Sequence, residues 1–147
     1  MGLFDIFRRA KQLEALHPVF GRIAYQGDAT WELGKATFPP VGHDVEVIIH
    51  AGIDGPSDAH LRYWRELIER WPALKTACEH LLRRTLVHWI ESPECGDIWS
   101  RVDLESLTIY PGVPPEQWEL KFWCEEAGHW PTILMRQWTP TDCFVDG

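Results

Sequence analysis

The sequence contains none of the short motifs that carry the common enzyme chemistries. A GxSxG nucleophile elbow, a phosphate-binding P-loop, a GxGxxG dinucleotide fingerprint, an HExxH zinc motif and an EF-hand loop are all missing. It also lacks an apolar run of membrane-spanning length, since the run from Val45 to Ile53 is broken by His50. We therefore predict no catalytic residue, no metal ligand, no cofactor and no membrane span.

Basic residues are also scarce, because 14 Lys and Arg stand against 22 Asp and Glu, giving a formal net charge of −8 and a pI near 5.3. Nucleic-acid binding depends on Lys and Arg neutralising phosphates, so this balance argues against a nucleic-acid partner. Most cations between residues 62 and 84 are spaced four residues from a Glu, which indicates ion pairs on a solvated helix. An acidic surface of this kind is compatible with a basic protein partner.

The four cysteines, Cys78, Cys95, Cys124 and Cys143, lack the CxxC spacing of a zinc knuckle. The first residues have neither the charge order nor the small-residue cleavage site of a secretory leader. We therefore expect reduced thiols in a cytoplasmic protein, without a disulfide framework.

The 147 residues suit a single domain, since no linker, repeat or low-complexity segment divides them. Apolar residues up to Leu16 follow helical spacing, which predicts an amphipathic N-terminal helix over residues 1–16. Such a helix could pack on its own domain, lie on a membrane or bind a partner. Its three cations are too few to favour the membrane.

After Pro18 the apolar period changes from 3.6 to 2, which is typical of strands. Strands are predicted at residues 19–26, 30–38, 44–51, 102–110, 117–124 and 132–138. The turn signal Gly27-Asp28 predicts that the first two form a hairpin, and a parity change near Glu105 and Ser106 predicts a bulge.

Between the third and fourth predicted strands, the pattern indicates two consecutive helices. The first begins near Gly55 or Ser57 as the cap, and Pro72 divides the pair, because proline disfavours helix at the preceding residue. Residues 86–90 are apolar nearly all round, so we expect them to be the most buried helical stretch. The order helix, three strands, two helices, three strands predicts an α+β fold with a largely antiparallel sheet packed against the helical pair.

Histidines and carboxylates are densest around the third predicted strand. His43, His50, Asp54 and His60 could bring imidazoles and a carboxylate to one end of it. None of these pairs has the spacing that is typical of a zinc site. The simpler interpretation is that these histidines are hydrogen-bonded within the protein or exposed to solvent.

Nine tryptophans are the unusual feature of the composition. Trp64, Trp71, Trp89 and Trp118 fit predicted core faces, whereas Trp99, Trp123 and Trp130 are less easily buried. Aromatic residues surrounded by acids are typical of a protein-binding hot spot, although covering an open sheet face would explain them equally well. The predicted partner-binding residues are Glu119, Trp123, Glu125, Glu126 and Trp130.

Four segments are distinctive: the opening MGLFDIF, the hairpin from Phe20 to Trp31, the helix after the run Ala51–Pro56 and the segment from Trp118 to Trp130. Together they resemble a bacterial family of small, uncharacterised α+β domains. Such domains are similar to the immunity proteins that accompany polymorphic or contact-dependent toxins. The resemblance spans most of the chain and carries no catalytic motif. It implies a cytoplasmic bacterial protein that binds and blocks a cognate toxin, with an acidic patch against a basic toxin domain.

The leading hypothesis is therefore a non-enzymatic protein-binding module, most concretely a toxin-neutralising immunity protein. One alternative is a small metal-dependent hydrolase that uses the His43/His50/Asp54/His60 grouping. Another is an adaptor subunit that docks through its N-terminal helix.

Overall fold

The computed structural model describes residues 13–111 and 114–146, without the side chains of residues 33–35. Eight strands and one long helix form this part of the chain. They are β1 (Glu14–His17), β2 (Gly21–Gly27), β3 (Thr30–Phe38), β4 (His43–His50), α1 (Asp58–Leu86), β5 (Asp103–Ile109), β6 (Gln117–Trp123), β7 (Trp130–Arg136) and β8 (Thr139–Asp146). A short 3-10 helix, Ile98–Ser100, lies between α1 and β5.

All eight strands belong to one sheet, in which the spatial order is the order along the chain. Each neighbouring pair is antiparallel except β4 and β5, which run parallel. A parallel pair requires a crossover connection, and α1 supplies it. The sheet therefore consists of two four-stranded antiparallel halves joined at a single parallel junction.

Helix α1 packs on one face of the sheet because alternate strand residues on that face are apolar. In β4 these are the buried residues Val45, Val47 and Ile49. The inward residues of β6 and β7 include Trp118, Leu120, Phe122, Ile133 and Met135, all of them buried. Burial of this apolar area is the main stabilising contribution to the fold.

Aromatic rings connect α1 to both halves of the sheet. Phe38 of β3 lies 5.2 Å from Trp64 and 5.1 Å from Trp71, measured between ring centroids. In the other half, Tyr63 contacts the rings of Trp118 at 6.1 Å and Trp138 at 5.6 Å. One helix thus holds the two halves in a common core.

The prediction of two helices packed on the sheet is wrong, because α1 is a single helix of 29 residues that continues through Pro72. Pro72 itself is exposed, whereas its neighbours Trp71 and Leu74 are buried against the core. Packing of these apolar side chains outweighs the local penalty of a proline within a helix. The N-cap of α1 is Ser57, which confirms one of the two predicted candidates, Gly55 and Ser57.

The predicted number of strands is also wrong, since the described residues contain eight. Strand β1 pairs with β2 over residues 14–17, so the predicted N-terminal helix is wrong for its last residues, while residues 1–12 lie outside the described part. Strand β8 has Pro140 near its start and no apolar alternation that would reveal it. The predicted burial of residues 86–90 fails as well, because α1 ends at Leu86 and both Val87 and Trp89 are exposed.

The six predicted strands correspond to β2 through β7 with end differences of a few residues. The hairpin at Gly27-Asp28 joins β2 to β3, where Asp28 and Ala29 have the positive φ angles that such turns require. The register of β5 and β6 shifts between Leu104 and Ser106, which confirms the predicted bulge. The α+β character is thus retained, with one helix in place of two.

Candidate protein-binding face

The sheet surface that points away from α1, here called the outer face, is formed by the other set of alternate strand residues. Carboxylates outnumber cations on it among the described side chains. The acids include Glu32, Asp44, Glu46, Asp103, Glu119 and Asp142, and the cations are Arg22, Lys121 and Arg136. The outer face therefore carries much of the net negative charge of the chain.

An aromatic cluster of Trp123, Trp130 and Phe144 lies at one end of the outer face. The rings of Trp123 and Trp130 are 4.8 Å apart, and Lys121 Nζ lies 5.4 Å from the centroid of the Trp130 ring. Register places Lys121 beside Thr132 and Thr132 beside Phe144. Trp130 and Phe144 are each 37% exposed, so part of the cluster is open to solvent.

The loop from Cys124 to His129 fixes the orientation of Trp123. Its ends pair through a hydrogen bond from Cys124 N–H to the His129 carbonyl oxygen at 3.0 Å. Gly128, with φ of +66°, supplies the left-handed residue of the turn. Within this loop Glu125 accepts a 2.9 Å hydrogen bond from the indole N–H of Trp123. The loop therefore fixes the orientation of the Trp123 ring within the aromatic cluster.

Glu126, the next loop residue, is occupied within the chain. Its carboxylate forms an ion pair with Arg101 at 2.5 Å and accepts a hydrogen bond from Glu91 N–H at 3.0 Å. The hydrogen bond from Arg101 lowers the pKa of Glu126, and the Glu91 N–H lowers it further. Arg101 also donates to the carbonyl oxygen of Glu91 at 2.7 Å. This pair connects the Cys124–His129 loop to the segment that leaves α1.

Glu119 lies on the outer face but four residues along β6 from Trp123, which corresponds to about 13 Å. It lines a groove of about 730 Å³, here called the seam groove, at the opposite end of β5 and β6. The polar lining includes His50, Thr108, Tyr110, Gln117, Glu119 and Arg136.

Two rings form one side of the seam groove, where His50 stacks on Tyr110 with centroids 4.9 Å apart and planes 12° from parallel. Burial raises the pKa of Tyr110, and the carboxylate of Glu119 raises it further. The phenol therefore stays protonated at neutral pH and is available as a hydrogen-bond donor.

The structure thus brings Trp123, Glu125 and Trp130 together. It places Glu119 further along β6 and pairs Glu126 with Arg101. The sequence interpretation did not include Phe144, because it lies on the unpredicted strand β8. It also did not include Tyr110. Alternation along β5 places Tyr110, two residues after Thr108, on the outer face, and this alternation was the signal available in the sequence.

The other tryptophans are divided between the core and the surface. Trp64, Trp71 and Trp118 are buried as expected. The expectation for Trp89 is wrong, since it is 42% exposed and contacts the ring of His129 at 4.5 Å. Trp99 is partly buried, beside Phe122 and below the ammonium group of Lys75.

The histidines of the metal hypothesis do not converge. His43 and His50 lie at opposite ends of β4, about 23 Å apart at about 3.3 Å per residue. His60 is buried and its ring is already used: Nδ1 accepts from Ser57 N–H at 3.0 Å, and Nε2 donates to the His50 carbonyl oxygen at 2.6 Å. Within residues 13–111 and 114–146, no group of three His, Cys, Asp or Glu side chains is placed to hold a metal ion.

Helix α1 has the length of a membrane span but carries charged residues throughout. In the part of the chain that the structure describes, no helix combines the length and apolar character needed to cross a bilayer. Among known proteins, no family model, no curated sequence and no solved structure matches this chain.

Proposed function

We propose that this protein is a non-enzymatic binding module that holds a basic protein partner on its outer face, most concretely an immunity protein that neutralises a bacterial toxin. The aromatic cluster carries this proposal. Trp123 and Trp130 lie in contact on a surface strand pair, partly exposed and oriented by Glu125. Tryptophan is among the residues that contribute most to binding energy at interfaces, above all when it is already ordered in the free protein.

Charge supports a basic partner. The formal net charge of −8 and the excess of carboxylates on the outer face would speed the encounter with a positively charged surface. Around the aromatic cluster, Glu125, Asp103 and Asp146 supply an acidic rim. An apolar centre with a polar rim is the usual arrangement of a protein interface.

The size of the outer face is also sufficient. Eight strands about 4.8 Å apart span roughly 34 Å, and a seven-residue strand extends for about 23 Å. Their product, roughly 800 Å², equals the area that each partner buries in a standard protein complex.

The test begins with capture of the partner by the tagged full-length protein in a bacterial host, followed by titration of the purified partner. The double variant Trp123→Ala/Trp130→Ala is expected to bind at least about tenfold more weakly, because it removes both aromatic anchors. Ile53→Ala is the matched control, since Ile53 is an exposed apolar residue in the loop between β4 and α1, outside the outer face. Its affinity should equal that of the wild type.

Neutralisation is tested in the same host. Expression of the partner alone should arrest growth, co-expression of the wild-type protein should restore it, and the double variant should not. The association rate should fall as salt rises. An acidic partner, an unchanged affinity of the double variant, or growth unaffected by the partner would contradict the proposal.

A further inference from the structure

Strands β5 and β6 pair over only part of their length. Their register runs from Asp103 opposite Trp123 to Leu107 opposite Leu120 and then ends. Beyond that point, residues of both segments, 108–110 and 117–119, line the seam groove, which extends from His50 of β4 to Arg136 of β7 and Thr141 of β8. The strands on their far sides remain paired, since β5 continues against β4 to Ile109 and β6 against β7 to Gln117.

The composition of the connecting segment explains why the pairing stops. Pro111, Pro114 and Pro115 lie between the two strands and have no N–H to donate to a ladder. Within the described part of the chain, the facing edges of Thr108–Tyr110 and Gln117–Glu119 therefore have no strand partner. Backbone edges of this kind are what an added extended strand recognises.

The side chains around these edges favour a particular kind of strand. Glu119 provides a carboxylate on the β6 side, and Arg136, which also lines the groove, forms an ion pair with Glu116 at 3.6 Å. Across the groove, Tyr110 presents a protonated phenol and a ring surface stacked on His50. A carboxylate beside an aromatic wall is suited to a Lys or Arg side chain, which packs its apolar stem on a ring and pairs its charge with the acid.

A further polar group lies behind the seam. Tyr63 of α1 is fully buried, and its hydroxyl has no hydrogen-bond partner in the described part of the chain. Burial raises its pKa above the usual range, and Tyr110 raises it further. The ring of Tyr63 packs at 6.1 Å on that of Trp118, which lines the seam groove. A buried hydroxyl without a partner is destabilising, and a peptide carbonyl oxygen that reached it would accept its hydrogen bond.

We infer that the seam groove binds an extended, Lys- or Arg-bearing peptide segment that adds as a strand between the ends of β5 and β6. This inference rests on the proposed function in one respect, since the peptide segment is assumed to belong to the protein partner proposed above. It assigns backbone recognition to Thr108–Tyr110 and Gln117–Glu119, and charge recognition to Glu119.

The experiment uses the full-length protein, ¹⁵N-labelled, and the blocked pentapeptide Ac-Thr-Val-Lys-Val-Thr-NH₂ in a titration followed by NMR amide shifts. The largest shifts are expected at Thr108–Tyr110 and Gln117–Glu119. Glu119→Gln should weaken binding at least about threefold, because it removes the charge-assisted contact. Glu69→Gln, which removes an exposed acid of α1 on the other side of the sheet, is the matched control and should leave the affinity unchanged.

A second peptide with N-methylated valines cannot donate hydrogen bonds at those residues and should not bind. The inference is overturned if the pentapeptide causes no shifts at several millimolar, if the shifts lie elsewhere, if N-methylation has no effect, or if Glu119→Gln binds as well as the wild type. The titration needs no natural partner. A negative result would therefore overturn this inference without affecting the test of the proposed function on Trp123 and Trp130.

Discussion

Individual side chains in this protein differ sharply in their access to solvent, and the cysteines show it best. Cys78, Cys124 and Cys143 are buried, whereas Cys95 is exposed. Burial raises the pKa of the Cys78 thiol to about 12 and also raises that of Cys143. The thiolate is the reactive form, so these two residues are poor nucleophiles at neutral pH.

Titration with Ellman's reagent at pH 8 should therefore detect one fast thiol in the native protein and four in 6 M guanidinium chloride. The native signal should disappear in Cys95→Ser, which changes the only exposed cysteine of the four. More than one fast thiol in the native state would show that the core opens readily around Cys78 or Cys143.

For individual residues, the sequence predicts burial better than it predicts contacts between side chains. Strict alternation in β6 correctly separates Trp118, Leu120 and Phe122 from the outward Glu119 and Lys121. The same pattern cannot show that Glu126 pairs with Arg101, because that contact depends on two loops whose meeting is set by the sheet.

Among the elements, α1 is the one whose local sequence disagrees most with its structure. Pro72 lies within it, and the proline ring removes one helical hydrogen bond. The group that loses its donor is the Ile68 carbonyl oxygen, whereas the Pro72 carbonyl oxygen still accepts a hydrogen bond, from the Thr76 hydroxyl at 3.1 Å. The helix persists because the buried residues before and after Pro72 pack on the same sheet.

Pro72→Ala is expected to raise the free energy of unfolding by about 1–2 kcal/mol. A proline in a helix interior costs about 3 kcal/mol relative to alanine, and greater freedom of the unfolded chain offsets about 1 kcal/mol of the gain. Urea denaturation measures the change, with Glu69→Ala on the exposed side of α1 as the control, expected within about 0.5 kcal/mol of wild type. A less stable Pro72→Ala would mean that the sheet requires a bend at this point.

The strands at the two edges show where sequence patterns stop being informative. Periodicity is imposed by having one buried face and one wet face, and it is clear in the central strands β4 and β6. In β1 three of the four residues are exposed, and in β8 only Cys143 is buried. Neither strand therefore shows the alternation of apolar and polar residues by which strands are predicted. Their pairing is decided by the neighbouring strands, β2 and β7.

For the whole molecule, the shared core predicts cooperative unfolding. Helix α1 contacts Phe38 in the first half of the sheet and Trp118 in the second, so neither half keeps its core without the helix. Urea unfolding followed by tryptophan fluorescence and by far-ultraviolet circular dichroism should give coincident transitions. Phe38→Ala should cost about 3–5 kcal/mol and shift both curves equally. Separate transitions would show that the halves unfold independently.

The parallel junction between β4 and β5 has a consequence for how the chain reaches this structure. Every other strand pair joins chain neighbours, so those pairs can form by closing short loops. Among the described strands, the β4–β5 pair, such as Glu46 with Ser106, is the one that requires distant segments to meet, with α1 between them. The entropic barrier to folding is thus concentrated in the pairing of β4 with β5. The helix that completes the core also sets the rate at which the two halves of the sheet pair.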